Sequence, residues 1–198
     1  MSAIVSRHTH TDTRKLILRT AREMVLTRSY LGLTFQDLAD RVGIRKASLY
    51  HHFASKEALG LEVVADSLTK FETWCDSVSD RAPAQQILAY VRMFRDLIGA
   101  GSRVCPVAAF GSEWDCIEPE LRKAVQTFHR AQLNWLTRKA AHLEQFAHID
   151  TGPSKEAQAR QWAAQLNATV QGAMVNARLY NGPAIFDAAV APLVSKLT

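Results

Sequence analysis

The chain predicts an all-α fold, on three observations. Apolar residues recur at three- and four-residue spacing in nearly every long segment. Pro and Gly fall between those segments, where helices start and stop. No stretch alternates apolar and polar residues between hairpin-type turns. Nine helices and no sheet are expected over the 198 residues.

From Asp12 to Tyr30, Ile17, Ala21, Met24 and Val25 mark one buried face, and Gly32 is expected to break that helix. A second helix opens at Thr34 and stops at Gly43, and a third runs from about Arg45 to His52. Ser55 is an N-cap for a fourth, through Leu59, Val63, Leu68 and Phe71 towards Val78. Pro83, Pro106 and Pro119 each sit where a helix commonly begins, and Gly99 and Gly101 close the first of those three. Thr151-Gly152-Pro153 reads as a loop. An Ala-rich helix then runs from about Lys155 to Tyr180, and a last one starts at Pro183, with Pro192 ending or kinking it.

Charge divides the chain unevenly. Residues 1–60 carry the whole formal net charge of +5, and the remaining 138 are balanced. A basic segment on a neutral body suggests an anionic partner, nucleic acid or a membrane surface. The membrane reading fails because these basic residues flank a compact group of short helices instead of one long amphipathic face. An apolar fraction of 47% with 22% charged residues is globular. No apolar run approaches a membrane span, and Met1 to Thr11 lack the apolar core of a signal peptide, so a cytoplasmic protein is expected. Cys75, Cys105 and Cys116 are too few and scattered for a disulfide framework or a zinc site, and no metal or cofactor is expected.

Thr34 to Leu59, TFQDLADRVGIRKASLYHHFASKEAL, has the form of a helix-turn-helix. Thr34 caps its first helix; Leu38, Ala39 and Val42 face inward; Gly43 supplies a left-handed turn. Ile44 and Leu49 anchor the next helix, leaving Arg45, Lys46, Ser48, Tyr50 and His51 outward on its N-terminal half, the part that meets base edges in a major groove.

The string Leu49-Tyr50-His51-His52-Phe53 followed by Ser55-Lys56-Glu57-Ala58-Leu59 resembles the signature of the TetR family of bacterial transcriptional regulators, over residues 12–60. The resemblance implies a DNA-binding domain over residues 1–55 and an effector-binding and dimerisation domain over 56–198. It implies a homodimer on a palindromic double-stranded DNA operator, most often as a repressor, released by a small, mostly apolar effector. Thr34 and Lys56, at helix N-termini, would hold phosphates. Tyr50 and His51 would contact backbone and sugar, and Arg45, Lys46 and Ser48 would read bases. Ala47 stands where the family often has Gly.

The Ala-rich helix, with Ala163, Ala164, Ala168, Gly172, Ala173 and Ala177, can approach another helix closely. With Ile185, Phe186 and Val190 of the last helix it would build an intersubunit four-helix bundle. Phe71, Trp74, Tyr90, Phe94, Phe110, Trp114 and Phe128 are candidate walls of the effector pocket. Gln132 is a candidate polar group there, with Arg95, Glu113 and His129 also available. Cys105 precedes Pro106 at a helix start, two residues after Arg103, a setting that lowers a thiol pKa. Val104 to Glu113 also resembles a Cys-Pro stretch of the LmrA/YxaF-like TetR regulators, and a related Cys in the family's electrophile sensors is reactive. Cys105 is therefore a candidate reactive thiol, and a thiol-based sensor is the alternative input. An enzyme pairing Cys105 with His129 or His142 is not expected, because no orienting Asp or Asn and no oxyanion loop stands at a recognisable spacing.

Overall fold

A computed structural model describes residues 10–99, 101–143, 154–195 and 197. Among them are nine α-helices and no strand. They are α1 (His10–Arg28), α2 (Phe35–Val42), α3 (Lys46–His52), α4 (Lys56–Ser77), α5 (Pro83–Ile98), α6 (Pro106–Gly111), α7 (Pro119–Ala140), α8 (Lys155–Leu179) and α9 (Ala184–Val194). A 3₁₀ turn, Trp114–Cys116, joins α6 to α7. The Thr151-Gly152-Pro153 loop lies outside the described residues.

Local chemistry sets most of these boundaries. Thr34 Oγ1 accepts the Asp37 N–H at 3.0 Å, and Ser55 Oγ accepts that of Ala58 at 3.0 Å, so both caps close orphan donors of the following helix. Pro83, Pro106 and Pro119 each open a helix where a missing N–H costs nothing. Pro192 lies inside α9, in its last turn, and the helix continues to Val194.

Gly43 ends α2 at φ 77°, ψ 33°, and its N–H and that of Ile44 both reach the Ala39 carbonyl. A Cβ built on Gly43 meets nothing within 4 Å. The cost of Gly43→Ala is therefore backbone strain alone, about 1–2 kcal/mol. For a chain of this size that should lower Tm by a few degrees, and Gly43→Asn by less, since Asn tolerates the left-handed region. Thermal unfolding followed by circular dichroism checks the order; equal Tm values for Gly43→Ala and the wild type would contradict it.

One boundary differs from expectation. α1 stops at Arg28, before Gly32, because Ser29 adopts a left-handed conformation at φ 65°. Its hydroxyl donates to the Glu113 carboxylate, which also accepts the Leu31 N–H at 2.9 Å. Gly32 has a different use: a Cβ there would sit 2.3 Å from the Arg28 carbonyl oxygen.

The apolar core runs without a break from Ile17 in α1 to Val190 in α9. In its centre α4, α5 and α8 pack on α7, and α9 packs on α8. Phe71, Trp74, Tyr90, Phe94, Phe128 and Trp135 form one aromatic cluster, with neighbouring ring centroids 4.8–6.4 Å apart. The buried Tyr90 hydroxyl donates to Asn167 Oδ1 at 2.8 Å, and Asn167 Nδ2 lies 3.1 Å from His129 Nε2. This polar chain fixes the register of α5, α7 and α8 inside an otherwise apolar centre.

The Ala-rich helix sorts its small residues by phase. Ala163, Ala173 and Ala177 are buried within the subunit, whereas Ala164, Ala168 and Gly172 are exposed. Val175 and Leu179 continue that outward stripe and are 44% and 70% exposed. On α9 the expected bundle residues Phe186 and Val190 turn inward, at 0% and 4% exposure. The exposed positions there are Ala184, Asp187, Ala188, Ala191 and Pro192; the three alanines are spaced like the stripe on α8, and Asp187 among them is paired with Arg95.

Candidate nucleic-acid interface and an internal cavity

α2 and α3 form the helix-turn-helix, held on α1 by Phe35, Leu38, Ala39 and Leu49, all buried. Ile44 is half-buried against the same core. Arg45 is the N-cap of α3 in extended conformation, and its side chain makes no capping bond. Arg45, Lys46, Ala47, Tyr50 and His51 are exposed, and Ser48 is half-buried. Arg45 and Lys46 make no ion pair with the described residues. Two cations at the first turn of a short, exposed helix form a surface complementary to phosphates and to guanine edges. Tyr50 is 53% exposed, and its ring packs on Phe35 at 5.1 Å, which fixes its direction.

Thr34 is exposed at the start of α2, its hydroxyl oxygen engaged by Asp37. Lys56, expected to hold a phosphate, stands at the start of α4. It is half-buried, with Nζ 4.6 Å from the Tyr30 ring centroid and donating to the Leu31 carbonyl at 3.3 Å. Burial pulls its pKa down, and Glu113 and Glu118 pull it back up.

Lys56 belongs to a seam that fastens α1 to the body. The Val104 N–H donates to the Leu26 carbonyl at 3.0 Å, and Arg178 Nη2 to the Thr27 carbonyl at 2.8 Å. Arg103 pairs with Glu23 at 2.9 Å. Glu113 closes the end of α1, as described, and Gly60 lets α4 approach Tyr30, since a Cβ there would lie 2.9 Å from that ring. Nearer its start, α1 is tied to α4 by Arg14, which pairs with Glu62 and lies 4.7 Å from the Phe53 ring centroid.

Above the seam lies a cavity of about 300 Å³ between α1, α4, α5, α6 and α7. Phe71, Phe94, Phe128 and Gln132 line it, as does Cys105. The other four expected wall residues stand elsewhere. Tyr90 is fully buried, its hydroxyl taken by Asn167. Trp74 lies behind Phe71 and against Trp135, 5.9 and 5.3 Å away between ring centroids. Phe110 packs on Tyr30 at 5.2 Å, and Trp114 lies beneath the Arg122 guanidinium at 5.8 Å. Of the polar candidates, Arg95 pairs with Asp187 at 2.9 Å, Glu113 closes α1 and His129 faces Asn167, which leaves Gln132.

Sequence reasoning passed over Met93, Leu97, Ser67, Lys70 and Arg22 as wall residues and read Pro106 only as a helix start; these six complete the wall. The signal for Arg22 was its place beside Ala21, at the rim of the buried face of α1. Two of the wall residues carry a buried polar atom without a hydrogen-bond partner: Arg22 Nε and Gln132 Oε1.

Cys105 occupies the expected helix start, but its chemistry is reversed. It is 1% exposed, and burial pushes its pKa up. The Val107 and Ala108 N–H groups and the Gln171 and Gln132 amides pull in the other direction and do not offset burial. Arg103, the expected activating cation, is engaged by Glu23.

A helix-turn-helix with a cationic reading helix, seamed to a helical body with a part-open apolar cavity, defines a class of DNA-binding regulators. Comparison with known proteins agrees. Residues 17–63 match the pattern of bacterial regulatory proteins of the tetR family. Residues 83–193 match that of the tetracyclin repressor-like C-terminal domain. The chain belongs to the TetR family. It is 35% identical over 60 residues to the HTH-type transcriptional repressor NemR of Escherichia coli, a match covering 30% of each chain. A TetR-family regulator from Agrobacterium tumefaciens superimposes with a TM-score of 0.84 at 26% identity, covering 95% of this chain and 98% of that one. AibR, solved in complex with isovaleryl coenzyme A and operator DNA, has the same fold, with a TM-score of 0.67 at 22% identity over 92% and 98% of the chains. Among the described residues no helix is long and apolar enough to cross a membrane.

Proposed function

We propose that this chain is a homodimeric, ligand-responsive transcriptional repressor that leaves a palindromic operator when a small, mostly apolar effector enters the cavity. One observation carries the reading: α1 and α4 run from the reading head to the cavity. Arg22 of α1 and Phe71 of α4 both line the cavity, while α2 packs on α1, α3 packs on α2, and α4 follows α3 directly in the chain. An effector that fits one arrangement of these helices better than another would alter the position of α3, and only that difference in affinity is needed. AibR, with isovaleryl coenzyme A and operator DNA in one complex, supports the view that this fold accommodates a small molecule and an operator. The outward stripes of α8 and α9 supply a self-complementary face for a two-fold dimer, which would place two α3 helices about one DNA turn apart.

Fluorescence anisotropy on the intergenic DNA beside the gene, across a salt series, tests the reading. Saturable binding that weakens steeply with salt and exceeds random DNA by on the order of 10³ is expected. A protein that is folded, free of ligand and indifferent among all genomic fragments would overturn it.

A thiol sensor is the second reading, favoured by the position of Cys105 in the cavity wall, where an entering electrophile would meet it. Its buried thiol argues for slow modification. With iodoacetamide, exposed Cys116 should react well before Cys105, and Cys105→Ser should retain effector release. Loss of release in Cys105→Ser, with DNA binding intact, would favour the sensor.

A further inference from the structure

The cavity has an apolar body with an unbalanced positive charge in its wall. Phe71, Met93, Phe94, Leu97 and Phe128 form the body. Two cations border it, and they are not equivalent. Lys70 is paired with Asp66 at 2.5 Å and is locally neutral. Arg22 makes no ion pair or hydrogen bond with the described residues, and its Nε is buried with no partner. Glu23, the next residue on α1, is engaged by Arg103 and faces another contact. A buried Nε without an acceptor is costly, and the cost is removed when a bound molecule brings the oxygen of an anion to it.

We propose that the cavity takes an apolar monocarboxylate, its acid group held by Arg22 and its hydrocarbon body by the aromatic wall. A planar guanidinium fork matches a carboxylate by two parallel hydrogen bonds, and the low-polarity surroundings strengthen them. A cavity of about 300 Å³ is at the small end of ligand sites, which suits a body on the order of ten carbons. The proposal rests on the reading of this cavity as the effector site and adds what the effector is. It also gives the signal a direct route. Arg22 lies on α1, the helix against which α2 packs, so the acid group pulls on the DNA-binding end itself.

Two matched probe series test this. One is decanoate, decanol and decylamine; the other is naphthaleneacetate with its alcohol and amine counterparts. Binding is followed by tryptophan fluorescence at neutral pH, and operator release by anisotropy. In at least one series the acid should bind on the order of tenfold or more tighter than the alcohol, and the amine more weakly than either. Arg22→Met should bring the acid down to the level of the alcohol. Arg22→Lys should retain part of the preference, and Lys70→Met, which removes a charge already paired, should retain most of it. Circular dichroism establishes that each variant is folded. Equal binding of acid and alcohol in both series, a preference that survives Arg22→Met, or no binding by any probe would overturn the proposal. Acid binding that depends on Arg22 without operator release would leave the ligand assignment standing and remove the regulatory reading instead.

Discussion

Arg45→Ala is expected to weaken operator binding by about tenfold to a hundredfold and to relax selectivity at a single base pair of each half-site. Arg45 caps α3 from an extended backbone, is exposed and makes no ion pair with the described residues, so its removal costs the free protein little. The loss therefore reports the complex. Lys46→Ala provides the comparison. If Lys46 meets a phosphate, its removal weakens all sequences alike and reduces the slope of log affinity against log salt by about one unit per subunit; a base-reading Lys46 would change selectivity instead. Anisotropy on the operator and on single-base variants, at three salt concentrations, separates these outcomes. Unchanged affinity and selectivity in Arg45→Ala would move the reading surface away from the first turn of α3.

The parts of the molecule legible in the sequence are those set within a few residues. The Thr34 and Ser55 caps, the left-handed Gly43 and the three proline helix starts depend on neighbours within one turn. The outward face of α3 follows from the same local periodicity. Features that depend on distant partners were not legible. α1 ends at Arg28, where the next residue, Ser29, is held by Glu113, 84 residues away. The thiol argument at Cys105 was sound for an isolated helix start, yet Glu23 engages Arg103 across 80 residues and burial decides the pKa. That the Lys56 ammonium lies over the Tyr30 ring was not legible either.

The aromatics show the same limit within a single helix. Tyr90 and Phe94 share one face of α5, but Asn167 of α8 holds the Tyr90 hydroxyl in the core, whereas Phe94 reaches the cavity. Periodicity finds the buried face; the packing of other helices decides which buried residues border empty space. Arg22 was missed for a related reason. A cation at the edge of an apolar face usually extends to water, and only the assembled walls show that its Nε is enclosed.

Gly172→Arg is expected to give a folded monomer that has lost operator affinity by on the order of 10² to 10⁴. Gly172 lies in the exposed stripe of α8, and a Cβ there meets nothing within 4 Å, so the subunit has room for the side chain. Replacing Gly within a helix also favours the helix, by up to about 1 kcal/mol. The damage therefore falls on what covers the stripe. In the proposed dimer, Ala164, Ala168 and Gly172 on α8, with Ala184, Ala188 and Ala191 on α9, would allow two helix pairs to approach at about 8 Å, and an arginine in that contact would keep them apart and bring like charges together. Each monomer would retain an intact α3, so half-site contacts persist, and what disappears is the linkage that makes the second half-site an intramolecular event. Sedimentation velocity gives the association state and anisotropy the affinity. A wild-type dimer in Gly172→Arg would place the subunit contact on another face. A monomer with undiminished operator affinity would show that the two reading heads do not need each other.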